Sequence, residues 1–373
     1  MRCLVRAFTQ TRRRRVACRK RRELAALQSR SSLISSVPWQ ARLAPLCAFL
    51  WQKFAFEVRV VTPIVRRVSE PAELRASTRF CAVFGHPVKH SASPAMHNPA
   101  LAALGLDWRY LACDVHPDRL REAIAGAQAM KFIGLNLTVP HKLLAVDIVD
   151  ELDVSAKTWG AVNTVRFEAR DASGAWQPLA KLNPDEVGEV RSHGFNTDAD
   201  AITRSLREDL GFEPRGASVL LLGAGGAGRT AALKLASDGV GSLFLVNRTA
   251  SKAEEVAAEI RTRFPSVRVA VGYPSSAVDL LLNATSLGLK ATDASPLDET
   301  QFALRSARAV YDMIYRPAET PLLGAAKAAG CQTANGLGML LYQGVKALEI
   351  WTGQPAPVEL MRAALLKNIY ARA

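Results

Sequence analysis

A two-domain α/β chain with a cleft between the domains is the fold class that three features of the sequence predict. From residue 79 onward short apolar runs alternate with helical stretches, a buried strand at 219–222 runs into a glycine turn at 223–228, and two helical stretches close the chain. A length of 373 residues suits two ordinary domains and an appendage, and 49% apolar content supplies enough material for sizeable cores. Global disorder and a fibrous architecture are excluded by the same composition.

Charge is distributed unevenly. The formal net charge is +14, but residues 1–78 hold 17 Lys or Arg against 4 Asp or Glu, which leaves the other 295 residues at +1. The body therefore gives no compositional reason to expect a nucleic-acid partner. Arg12 to Arg15, followed by Arg19, Lys20, Arg21 and Arg22, form an acid-poor leader that resembles an organelle transit segment. The same run suits a contact with nucleic acid or an anionic membrane, and a third reading is a segment without a role in the mature protein, removed or added by an over-extended gene start. A cytoplasmic location follows from the third reading and an organellar one from the first. The apolar run Leu43 to Trp51 is less than half a membrane span, so no transmembrane segment is expected. Cys3, Cys18, Cys47, Cys81, Cys113 and Cys331 show no C-x-x-C spacing, which argues against a disulfide framework or a zinc site and for a reducing compartment.

Taken in order, RFCAVFG (79–85) reads as a strand stopped by Gly85, HPVKHSASP (86–94) as a loop, and Pro94 to Leu104 as a helix ended by Gly105. DWRYLACDV (107–115) reads as the next strand, Pro117 opens a helix to about Ala129, and FIGLNLTVP (132–140) reads as a third strand. A second unit begins after Asp198 with the helix AITRSLREDL (201–210), closed by Gly211. The strand before the glycine turn, a helix from Arg229 to about Ser237 and the strand SLFLVN (242–247) follow. VDLLLNATS (278–286) and RAVYDMIY (308–315) each read as a strand meeting a loop. The helices at roughly 338–350 and 357–371 are long enough to pack back on the first domain. The expected partition is an extension at 1–78, a first domain at 79–197 completed by 338–373, and a second domain at 198–337.

GAGGAG places Gly223, Gly225 and Gly228 in a G-x-G-x-x-G spacing between an apolar strand and a helix. The first glycine permits the tight turn, the second lets backbone approach a pyrophosphate, and the third lets the helix sit close to the sheet, a Rossmann dinucleotide fingerprint. An NAD-preferring site usually carries an acid at the end of the next strand. Here Asn247, Arg248 and Thr249 stand there with Lys252 one turn on, and cations suit a 2′-phosphate, so the cofactor is expected to be NADP(H).

Two polar groups suit carbonyl–alcohol chemistry. Lys142 follows Pro140 at the end of a strand in the first domain, and Asp198 lies where the chain enters the second, so both can face the cleft. An ammonium there can give a proton to an oxygen as hydride reaches the carbon, with the carboxylate orienting it. A surface lysine and a helix-capping aspartate are the alternative on spacing alone. Ser91 and Ser93 present two hydroxyls suited to a carboxylate, or else belong to a turn before the helix. His86, His90, His97 and His141 have no metal-ligand spacing, so no metal is expected.

These segments together resemble the shikimate dehydrogenase family. The matching pieces are AVFGHPVKHSASPAMHN (82–98), NLTVPHK (136–142), GAVNT (160–164), FNTDA (195–199), LLLGAGGAGR (220–229), VNRT (246–249), NATSLG (283–288), YDMIY (311–315) and NGLGMLLYQG (335–344). The resemblance covers about 79–373 and implies reversible NADPH-dependent reduction of 3-dehydroshikimate to shikimate. It implies Lys142 as the catalytic acid–base with Asp198 as its partner, and Ser91 and Ser93 on the substrate carboxylate. Thr138, Asn163 and Gln343 would bind the carboxylate or hydroxyls. Gly223, Ala224, Gly225, Gly226, Ala227 and Gly228 would line the pyrophosphate, Asn247, Arg248, Thr249 and Lys252 the 2′-phosphoribose, and Thr285, Met313, Tyr315, Gly336 and Met339 the nicotinamide side.

Two departures stand out. The stretch 169–193 is longer than the usual hairpin and reads as a surface insertion near the cleft, and Ala199 replaces a usual glycine in a helical first turn that accommodates it. A quinate/shikimate dehydrogenase preferring quinate or NAD is the nearest alternative, and a non-catalytic NADP(H)-binding protein a distant one. The sequence is compatible with a monomer or a homodimer.

Overall fold

The computed structural model describes residues 74–371 apart from 184, 186 and 291, so nearly all of the basic leader lies outside the described residues. From Glu73 onward the chain holds together as one unit that carries two sheets. The first half contains β1 (Arg79–Gly85), α1 (Ser93–Ala103), β2 (Trp108–Asp114), α2 (Leu120–Ala129), β3 (Gly134–Leu137), α3 (His141–Leu144), β4 (Glu151–Leu152), α4 (Val154–Trp159), β5 (Thr164–Arg170), β6 (Trp176–Pro178) and β7 (Val190–Phe195). The second contains α5 (Asp198–Leu210), β8 (Ser218–Leu222), α6 (Gly226–Ser237), β9 (Ser242–Val246), α7 (Ala250–Arg263), β10 (Arg268–Val271), β11 (Val278–Asn283), β12 (Ala307–Asp312), α8 (Pro321–Ala328), β13 (Gln332–Asn335), α9 (Leu337–Thr352) and α10 (Val358–Tyr370).

The first sheet runs β2-β1-β3-β5-β7-β4 with β6 on β5. Its β2, β1 and β3 are parallel, whereas β5 is antiparallel to β3 and β7. The second runs β10-β9-β8-β11-β12-β13 with every neighbouring pair parallel. That is the doubly wound order, and its switch point between β8 and β11 puts a crevice at the end of β8, where the glycine turn stands. All four residues Val219 to Leu222 are buried because helices cover both faces of a parallel sheet. 

The C-terminal helices pack on the first sheet. Leu341, Val345, Leu348, Trp351, Met361 and Leu365 belong to the same apolar core as Cys81, Val83, Leu135 and Val165. Trp351 donates its indole N–H to the Val165 carbonyl at 2.9 Å. A Cβ on Gly134 would lie 2.1 Å from that indole nitrogen, so only glycine lets α9 lie against β3 and β5.

Three expectations shift. The third strand is four residues rather than nine, because Thr138 turns to accept the His141 N–H and starts α3. A single 3-10 turn, Pro117–Arg119, precedes α2. The stretch 169–193 does not lie near the cleft: it holds the ends of β5 and β7 together with β6, at the end of the sheet remote from Thr164 and Phe195.

Glu168 explains how that polar segment packs. Its carboxylate is 2% exposed and receives hydrogen bonds from Arg166, Arg191 and His193. Burial would raise its pKa, but those three donors outweigh it and hold the group down at about 2. The native pKa lies below the unfolded value of roughly 4.3, so this stabilisation is complete above that value and fades as pH falls toward 2. Glu168→Gln is therefore expected to lower stability at pH 7, with the difference from wild type shrinking on acidification. Urea melts across that range check it, and a pH-independent difference would contradict it.

Candidate active site

The two groups expected to carry the chemistry are brought together by two adjacent local structures. Lys142 projects from α3, one residue after the end of the turn that Thr138 closes. Asp198 is the first residue of α5, three residues earlier than the helix expected from sequence. Its side chain does not cap that helix. Asn196 does so instead, its Oδ1 accepting the N–H groups of Asp198 at 3.1 Å and Ala199 at 3.2 Å. The Asp198 carboxylate is thereby left for other partners, and Lys142 Nζ donates to Asp198 Oδ2 at 2.7 Å. The surface-lysine and capping-aspartate alternative is excluded by this pairing. Ala199 is buried within the helix, as expected.

Behind the pair lies a buried polar network. Asn163 donates its amide to Asp198 Oδ1 at 2.8 Å and to Thr197 Oγ1 at 2.9 Å, and its Oδ1 accepts the Thr197 N–H at 2.7 Å. Asn163 thus sits one layer behind the cavity surface, where it fixes the second carboxylate oxygen. Asn136 donates to Thr164 Oγ1 at 3.0 Å and accepts from the Tyr110 phenol at 2.7 Å. Tyr110 also shares a hydrogen bond with Ser93, and burial raises its pKa well above the ordinary phenol value, so it stays a neutral donor. His97 stacks on Tyr110 with ring centroids 4.3 Å apart, and burial holds it neutral by pushing its pKa down to about 3. Neither Tyr110 nor Asn136 was singled out from sequence, although an asparagine inside the apolar strand GLNL was a usable signal.

Two cavities meet at Lys142 and Asp198. One, of about 450 Å³, is lined by Ser91, Ser93, Thr138, Gln343, Lys142 and Asp198, together with Met313, Tyr315, Gly336 and Met339. The expected substrate and nicotinamide groups therefore share a single space, apart from Asn163, which lies behind it, and Thr285. The other, of about 620 Å³, is lined by Ala224, Gly225, Gly226, Ala227 and Lys252 together with Trp159, Arg229 and Glu259. Val139, Lys142, Asp198, Ala227 and Met339 belong to both.

The glycine turn fits a dinucleotide. Gly223 has φ +103°, and its N–H donates to the Val246 carbonyl at 2.7 Å. A Cβ on Gly228 would stand 2.0 Å from the Gly223 carbonyl oxygen, whereas Cβ atoms on Gly225 and Gly226 would enter open space. Gly225 precedes a 12-residue helix, so its first-turn N–H groups and dipole face that space, the donor set a pyrophosphate requires. Asn247 braces the turn by accepting the Ala224 N–H at 3.0 Å. Arg248, Thr249 and Lys252 are exposed at the same rim, and among the described residues no acid pairs with either cation. Thr285 lines neither cavity. Its hydroxyl donates to Asn283 at 2.8 Å and it backs Gly223 from below.

Among the described residues no group of three or more His, Cys, Asp or Glu is placed to hold a metal ion, and no helix is long and apolar enough to cross a membrane.

Comparison with known proteins agrees with this geometry over the described body. Family models match at 83–165 for the shikimate dehydrogenase substrate binding domain, 207–286 for shikimate/quinate 5-dehydrogenase, and 336–366 for the shikimate 5'-dehydrogenase C-terminal domain. The Methanopyrus kandleri shikimate dehydrogenase (NADP(+)) is 40% identical over 309 residues, spanning 81% of this chain and 100% of the relative. The shikimate 5-dehydrogenase of Thermus thermophilus in complex with NADP(H) and shikimate has a TM-score of 0.63 at 35% identity, covering 78% of this chain and 99% of that one. Quinate dehydrogenase from Corynebacterium glutamicum in complex with NAD has a TM-score of 0.65 at 30% identity, covering 78% and 99%. With a substrate sheet, a doubly wound cofactor sheet, a Lys–Asp pair where their cavities meet and these matches, the chain belongs to the shikimate dehydrogenase family of NADP-dependent oxidoreductases, within the shikimate/quinate dehydrogenase superfamily.

Proposed function

We propose that this enzyme is a shikimate dehydrogenase that interconverts 3-dehydroshikimate and shikimate with NADP(H). The observation that carries the reading is the Lys142–Asp198 pair at 2.7 Å, placed where the two cavities join. NADPH, when bound, supplies the hydride that reaches the substrate carbonyl carbon. Lys142 gives a proton to the carbonyl oxygen as it becomes a hydroxyl, and takes one back in the reverse direction. Asp198 holds the ammonium in place through one oxygen, while Asn163 holds the other, so the pair is positioned before substrate arrives. Ser91 and Ser93, which line the cavity, hold the substrate carboxylate, and Thr138 and Gln343 bind the substrate's remaining oxygens. Met313, Tyr315 and Met339 form the partly apolar wall beside the nicotinamide. Gly225, Gly226 and Ala227 bind the pyrophosphate through backbone N–H groups.

Cofactor choice rests on Arg248 and Lys252. A guanidinium and an ammonium at the rim favour a 2′-phosphate, and an acid that would bind the free ribose hydroxyls of NAD is absent from Asn247-Arg248-Thr249. Replacing both cations by alanine is expected to lower kcat/KM for NADP⁺ about 10- to 100-fold while changing that for NAD⁺ little. Paired initial-rate measurements check this, and equal losses with both cofactors would contradict it. The reaction itself is tested by giving the protein 3-dehydroshikimate and NADPH and identifying the product by chromatography. Shikimate formed in step with nicotinamide oxidation supports the reading, and oxidation without shikimate overturns it.

A further inference from the structure

Trp159 ends α4 in the substrate half of the chain, yet its side chain belongs to the apolar core of the cofactor half, with Ile202, Ala231, Ala253 and Val256. Its backbone is held there as well. Arg229, from α6, donates to the Trp159 carbonyl at 3.1 Å, and Arg263, the last residue of α7, donates to the Thr158 carbonyl at 2.9 Å. Glu259 joins the two cations: it accepts two bonds from Arg229, at 2.7 and 2.9 Å, and one from Arg263 at 2.8 Å. Gly160, with φ +64°, then turns the chain away, so the carbonyl end of α4 faces the arginines. Two cations sharing one anion keep net positive charge for those carbonyls, the favourable sign at a helix C-terminus.

The position of this cluster gives it a consequence. The chain itself crosses between the two sheets at 195–198 and at 335–337, and the cluster is a further link that forms part of the wall of the 620 Å³ cavity through Trp159, Arg229 and Glu259. We infer that Trp159 and the Arg229–Glu259–Arg263 cluster are a tether that sets the width of the nucleotide cleft and so determines affinity for the dinucleotide, with Glu259 and Arg263 as positioning residues. The inference rests on the NADP(H) reading given above. Without the tether a smaller fraction of molecules has the binding width, and the apparent Kd rises by the inverse of that fraction.

The test uses the full chain with Glu259→Gln and Arg263→Gln, and Arg263→Lys as a conservative partner that keeps the charge but not the fork. NADPH affinity is read by fluorescence titration, and hydrogen exchange is followed at 154–163 and 250–263 without cofactor. Either glutamine variant is expected to raise the NADPH Kd about 5- to 30-fold and to speed exchange on both sides of the cleft, with Arg263→Lys intermediate, and Arg263→Gln, at a residue outside the cavity lining, is expected to leave kcat within about threefold. An unchanged Kd, or faster exchange confined to 250–263, would overturn the tether and leave a local helix contact. Should wild type not bind NADPH at all, the cofactor reading falls, and faster exchange at 154–163 in the variants alone upholds or, if absent, overturns the tether.

Discussion

Lys142→Ala is expected to lower kcat about 10²- to 10⁴-fold while leaving the fold and NADPH binding nearly intact, the loss typical of a positioned proton-transfer group. The geometry says why the effect falls on kcat. Among the described residues the Lys142 ammonium has no hydrogen-bond partner besides the Asp198 carboxylate, and Asp198 keeps its Asn163 bond when the ammonium is removed. Asp198 then becomes a carboxylate of 11% side-chain exposure without its cation, so a modest loss of stability accompanies the variant. Steady-state kinetics with a parallel thermal melt separate the two effects. Turnover within a few-fold of wild type would remove Lys142 from the chemistry.

The second large effect is expected at Gly228→Ala. The added Cβ meets the Gly223 carbonyl oxygen at 2.0 Å and its carbon at 2.8 Å, and these are backbone atoms that no rotamer change can move. Helix α6 must retreat from the turn, which takes its N–H groups away from the pyrophosphate position. NADPH binding should weaken at least about 100-fold, equivalent to roughly 3 kcal/mol, with overpacking costing about 1–3 kcal/mol of stability. Fluorescence titration and melts measure the two separately. Near-native affinity would show that the third glycine is not needed for the approach of helix to sheet.

How much of this was legible in the sequence depends on how local each feature is. The strand–turn–helix at 218–237 could be read because its periodicity, glycine spacing and flanking elements lie within twenty residues. The length of the last two helical stretches is legible in sequence, whereas the side chains that α9 and α10 set against the first sheet are not. The start of α5 was missed by three residues because Asn196, not the helix's own first residue, satisfies its N–H groups. The 169–193 stretch reads as a surface insertion near the cleft, but the strand register carries it to the other end of the sheet, where Arg191 compensates Glu168, a glutamate buried between strands. Asn163 was assigned to the site, but its place behind Asp198 rests on contacts across 35 residues of sequence. The tether could not be read at all: Thr158, Trp159, Arg229, Glu259 and Arg263 come from three helices, and a tryptophan followed by glycine looks like an ordinary helix end.

One Lys–Asp pair, between a polar acid-binding cavity and a dinucleotide crevice, is proposed to oxidise shikimate with NADP⁺. Initial rates of the purified protein with shikimate and with quinate, each offered NADP⁺ and NAD⁺, test it most directly. The expected result is fast turnover with shikimate and NADP⁺ and a kcat/KM at least about tenfold lower for the other three pairs, as differential transition-state binding at Arg248 and the substrate hydroxyl contacts requires. Faster turnover of quinate, a preference for NAD⁺, or no turnover in any of the four would contradict it.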